Sequence, residues 1–207
     1  MNESAIITQK SQTVGDVFSC VSRANGVPGN PAVWVGILAE LTEFAMMFLF
    51  LFIAKVNYPE VFAEGPGRLN TLAGMVNTLA LLSSSYFVAR AMVALRANKP
   101  GAAMRWLWGA IGAASLYLVI KYFEYQWNVS QGIHIKTNEF FAIYYYITFN
   151  HFLHVAWGGG ALLWGIMRIR TGSYTASDHS GLEAIASYWH MIDLVWIIIF
   201  PLLYVLK

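Results

Sequence analysis

The sequence runs to 207 residues, of which 57% are hydrophobic and only 12% charged, about half the ~25% charge of an ordinary soluble domain. So few charges cannot cover a water-facing surface, and a formal net charge of +2 is too small to argue for a nucleic-acid partner. A lone Cys20 excludes an internal disulfide, a Cys-x-x-Cys site and covalently attached c-type haem.

Residues 1–32 have no apolar core of signal-peptide type, and they carry Gly26, Pro28, Gly29 and Pro31 just ahead of the first long apolar run. They are expected to form an uncleaved, cytoplasmic N-terminal arm. Residues 33–207 read as one all-α unit, a polytopic membrane protein of five transmembrane helices. The spans fall at roughly 33–54, 70–93, 104–126, 140–166 and 183–206, each long enough to cross about 30 Å of hydrocarbon at about 1.5 Å per residue. Asn57-Tyr58-Pro59, Asn98-Lys99-Pro100-Gly101, Gln131-Gly132 and Thr171-Gly172-Ser173 supply the turn chemistry between them. With the N-terminus inside, the cytoplasmic side receives Lys10, Arg23, Arg90, Arg96, Lys99, Arg105, Arg168 and Arg170. The other side receives Lys55, Arg68, Lys121, Lys136 and Lys207. That bias predicts N-in, C-out.

Charged groups inside a span are costly and need a reason. In span one, Glu40 and Glu43 lie three apart on one helical face. Two carboxylates that close in low dielectric rarely both ionise. They read either as proton-accepting or metal-ligating groups, or as carboxyls hydrogen-bonded to a neighbouring helix. In span two, Asn77, Thr78, Ser83, Ser84 and Ser85 are small polar groups that let helices approach and bond across the contact. Span three places Tyr117, Lys121 and Glu124 on one stripe, expected as an ion pair that caps the helix toward the bundle or a headgroup.

Span four aligns Tyr144, Thr148, His151 and Gly158, with His154 one turn from His151. Two histidines so spaced can bind a metal, but no acidic residue follows them on this helix. Gly158-Gly159-Gly160 instead suggests a tight helix contact. Span five carries His190 and Asp193, in which the carboxylate would orient or pair with an imidazole. Together the four pairs could form one interior polar cluster. A carboxylate-bridged di-iron bundle would need Glu-x-x-His on two helices; that pattern is absent. No metal ligand and no catalytic residue is therefore assigned, and a membrane-embedded metalloenzyme using the His/carboxylate cluster remains the alternative.

The same residues carry a family resemblance. Thr42-Glu43 in span one, Asn77-Thr78-Leu79-Ala80-Leu81-Leu82-Ser83-Ser84 in span two and Lys121-Tyr122-Phe123-Glu124-Tyr125 in span three come first. Span four has Thr148-Phe149-Asn150-His151-Phe152-Leu153-His154-Val155, and span five Tyr188-Trp189-His190-Met191-Ile192-Asp193. One motif per span, in order, resembles subunit III of the haem-copper oxidases from Trp34 to Leu206, with Phe149 standing where the family usually has Gly. Five spans match the short bacterial members. The stretch from Tyr188 to Asp193 and Phe200-Pro201-Leu202-Leu203-Tyr204 look most similar to the homologues associated with nitric oxide reductase. The resemblance implies a non-catalytic subunit of a terminal oxidase or nitric oxide reductase. It would hold no haem or copper of its own, since those sit in the catalytic partner subunit. It would bind phospholipid and support assembly and proton uptake. Glu43 matches the family's intramembrane glutamate, and is expected to bond across helices or face a lipid groove.

Overall fold

The computed structural model describes residues 31–206, so residues 1–30 of the expected arm lie outside the described residues. Pro31 and Ala32 belong to the first helix and not to an arm. The long helices are α1 (Pro31–Asn57), α3 (Thr71–Arg96), α4 (Pro100–Ser130), α5 (Glu139–Arg170) and α6 (Ser180–Phe200). A short α2 (Pro59–Glu64) and one 3-10 turn (Gly65–Arg68) link α1 to α3. Five helices are long and apolar enough to cross a membrane, and there is no strand among the described residues.

Local chemistry sets the ends. Asn70 accepts the Ala73 N–H at 3.1 Å and Asn138 the Phe141 N–H at 3.0 Å, satisfying donors that a helix N-terminus leaves free. Pro59 and Pro100 open α2 and α4 at the first position, where a missing N–H costs nothing. At the other ends the chain turns through the left-handed region at Asn98 (φ 56°), Gly132 (φ 72°) and Gly172 (φ 72°), where Gly and Asn are best tolerated. α4 has 31 residues and α5 has 32, so at about 1.5 Å per residue each is longer than the hydrocarbon layer. Their polar turns, invisible to an apolar-run criterion, account for the wider bounds found here.

α3 and α4 pair as antiparallel neighbours around the tight Asn98 turn, and α6 packs against both α3 and α5. Half of the apolar stretch of α6 is buried against 22% for α1: α6 is the centre of the bundle and α1 leans on its outside, touching α5 and α6. Pro201 has no N–H to continue the ladder; from there the chain widens into a π turn, Pro201–Val205, closed by Leu206 N–H to the Pro201 carbonyl at 2.9 Å. This turn delivers the Tyr204 hydroxyl to the bundle interior. Trp108, Tyr122 and Trp127 are exposed, as rings at a headgroup level are.

Candidate functional site

The polar pairs do not merge into one cluster; they separate into four, each between different helices. On α5 the reason is angular: His151 and His154, three apart, differ by about 60° in direction, so His151 faces α4 and α6 while His154 faces α1.

The most enclosed group is Lys121 with Glu124, both at most 1% exposed. Lys121 Nζ lies 3.2 Å from Glu124 Oε2 and 3.3 Å from the Tyr144 hydroxyl, and it also donates to Tyr204. Tyr144 donates to Glu124 Oε1 at 2.7 Å, and Tyr204 donates to the same oxygen. The rings of Tyr125, Tyr144, Trp196 and Tyr204 stand 5.0–5.4 Å from the ammonium, within cation–π reach. The expected ion pair is therefore present, but inside the bundle and not at a headgroup. It joins α4, α5 and the π turn through charges that cancel and a carboxylate whose oxygens are used, the condition under which a buried pair is tolerated. Tyr204 and Tyr125 were not legible as its partners.

His151, fully buried, sits between α4 and α6. Its Nε2 lies 3.2 Å from the Ile192 carbonyl and so donates; Nδ1 then accepts from the Tyr117 hydroxyl at 2.9 Å. Both ring nitrogens are spent, leaving no lone pair for a metal. On α6, His190 bonds through Nδ1 to Ser85 of α3. The expected pairing of Asp193 with an imidazole is not formed: Asp193 is buried, and neither of its carboxyl oxygens has a hydrogen-bond partner among the described residues. Ser84 Oγ donates to the Ala110 carbonyl at 2.9 Å, the α3–α4 contact expected of it. Asn77 is buried in the same helix, but its amide has no hydrogen-bond partner among the described residues. Gly158 makes the expected close contact: a Cβ there would meet Trp189 ring atoms at 2.9 Å. Gly159 and Gly160 face open space.

The fourth group faces outward. His154 donates through Nδ1 to the Asn150 carbonyl at 2.8 Å, and its Nε2 lies 2.6 Å from Glu40 Oε2. Asn150 Nδ2 donates to Glu43 Oε1 at 2.7 Å, so both carboxyls of α1 bind to α5. Glu43 is exposed and Glu40 half-buried. Glu40 and His154 border a groove of about 710 Å³, lined also by Leu153, Ala156, Trp157 and Tyr188. Asn150, three residues C-terminal to Ile147, carried no signal in the sequence beyond its place in the span-four motif.

Residues 36–207 match the family model described as cytochrome c oxidase subunit III. The chain is 32% identical over 189 residues to cytochrome c oxidase subunit 3 of Synechocystis sp., covering 88% of this chain and 80% of that one. It is 31% identical over 176 residues to the protein of the same name from Thermostichus vulcanus, covering 83% and 86%. A heme-copper oxidase subunit I+III of Aeropyrum pernix is 27% identical over 179 residues, covering 84% of this chain and 22% of that longer protein. With the match running through all five spans, the chain belongs to the cytochrome c oxidase subunit III family.

Proposed function

We propose that this chain is the non-catalytic third subunit of a haem-copper respiratory enzyme, packed beside the catalytic subunit in a bacterial inner membrane. The observation that carries the reading is the family match over residues 36–207, together with a relative whose name joins subunits I and III in one protein. Haem and copper belong to the partner in this reading. The groove beside α1, with apolar Leu153, Ala156 and Trp157 on its walls, suits phospholipid chains. Assembly and proton uptake of the partner are the tasks assigned to the chain. The N-terminus is assigned to the cytoplasm, on the surplus of Lys and Arg on that side.

Reduction of O2 is favoured by the cytochrome c oxidase names of the relatives. Reduction of NO is the second reading, resting on the likeness of Tyr188 to Asp193 and Phe200 to Tyr204 to nitric-oxide-reductase-associated homologues. A catalytic metalloenzyme that uses all four polar pairs as one cluster does not fit groups that lie apart. Membranes from cells lacking this chain test the assignment. Haem-copper enzyme content or its sustained turnover should fall, with O2 or NO consumption identifying the acceptor. Unchanged content and turnover for both gases would refute it.

A further inference from the structure

The Glu40–His154 contact has an unusual donor balance. The Asn150 carbonyl can only accept, so the His154 Nδ1 at 2.8 Å must carry a hydrogen. In the neutral ring that leaves Nε2 as a lone pair, and it points at a carboxyl oxygen 2.6 Å away. Two acceptors this close share a proton; opened to about 3.3 Å, the separation that two bonds of about 2.0–2.1 Å to one zinc ion impose, the same pair would flank a metal ion instead. Glu43 adds a third donor from the next turn of α1. One ligand atom each from Glu40, Glu43 and His154 lie within 4.8 Å of one another.

We propose that Glu40, Glu43 and His154 form a binding site for Zn2+ that clamps the outlying helix α1 to α5. One imidazole nitrogen and two carboxylate oxygens are a donor set that zinc accepts, with a fourth position left to water or another ligand. A neutral nitrogen ligand disfavours Ca2+ and Mg2+, which prefer all-oxygen shells. Two carboxylates and one divalent ion cancel in charge, which suits a groove among apolar walls. The ring is oriented by its Nδ1–H bond to a backbone carbonyl, the outer support that metal-bound histidines characteristically have. Asn150 holds the Glu43 carboxyl in the same way from the same helix. The exchange balances simply: Zn2+ enters, and the proton between Nε2 and Oε2 leaves to water. Glu40 and His154 both open on the groove of about 710 Å³. Sequence spacing led to no metal ligand because it pairs His154 with His151; the other two donors, Glu40 and Glu43, come from α1. The inference depends on this chain alone and not on which enzyme it joins.

The test uses the full chain, purified through a histidine-free tag into lipid nanodiscs, equilibrated with Zn2+ and desalted before elemental analysis. About one Zn2+ per chain is expected, with Co2+ competing for the same site and giving a visible d–d spectrum. Glu40→Gln and His154→Gln keep the side-chain volume and should weaken Zn2+ binding by more than the about 10- to 100-fold typical of losing an outer-shell partner. His190→Ala should leave it unchanged, and helical circular dichroism verifies that each variant is folded. No retained Zn2+ in the wild-type chain, or retention equal in folded Glu40→Gln and His154→Gln, would overturn the site.

Discussion

Lys121 and Glu124 are the residues whose removal should be felt most, because among the described residues each is the other's ion-pair partner in a sealed space. Taking away one partner leaves an uncompensated charge, a loss of about 3–5 kcal/mol for buried pairs. Lys121→Met or Glu124→Gln alone should therefore lower the thermal midpoint in detergent clearly. The double variant should be less destabilised than the sum of the two, since no lone charge remains. Additive losses would mean the pair is not coupled. What the sequence could not reveal here was the aromatic box. Spacing placed Lys121 and Glu124 together, but Tyr144 and Tyr204 reach them from 20 and 80 residues beyond Glu124, and only the folded chain brings those hydroxyls in. The same limit explains His190, whose partner is Ser85 of another helix and not Asp193 of its own.

At the level of helices, apolar run length was a sound guide because hydrocarbon admits little else, and all five spans stand where hydropathy put them. The short α2 and the 3-10 turn were read as a plain connector. They pack Phe62 against Phe140, ring centroids 5.3 Å apart, a contact between distant residues that no local pattern encodes. The Gly158-Gly159-Gly160 run was legible as a helix contact, yet only its first member touches a neighbour. A methyl at Gly158 would press on Trp189, itself fully buried and unable to retreat. Gly158→Ala should cost about 1–3 kcal/mol, in the range of overpacked cores, whereas Gly160→Ala should be neutral or slightly stabilising through helix propensity. Thermal unfolding followed by circular dichroism distinguishes them; equal effects would contradict the α5–α6 contact described here.

For the whole molecule, five crossings would put the two described ends on opposite sides of the membrane, and the surplus of basic residues favours the second and fourth long connections on the cytoplasmic side. Single cysteines introduced at Asn98 and Ser173, in a background lacking Cys20, should react with a membrane-impermeant maleimide only from the cytoplasmic side. Labelling from the outside would reverse the orientation. Membership of the cytochrome c oxidase subunit III family implies that this five-helix chain sits beside a redox-active catalytic subunit. Purification of the tagged chain from its native membranes in mild detergent, followed by optical spectroscopy and identification of the co-purifying proteins, tests that most directly. A haem-containing catalytic subunit is expected in near-equal amount, with the haem spectrum lost when the two are separated and this chain is measured alone. A chain that purifies in quantity with no haem protein, or that keeps a haem spectrum by itself, would contradict it.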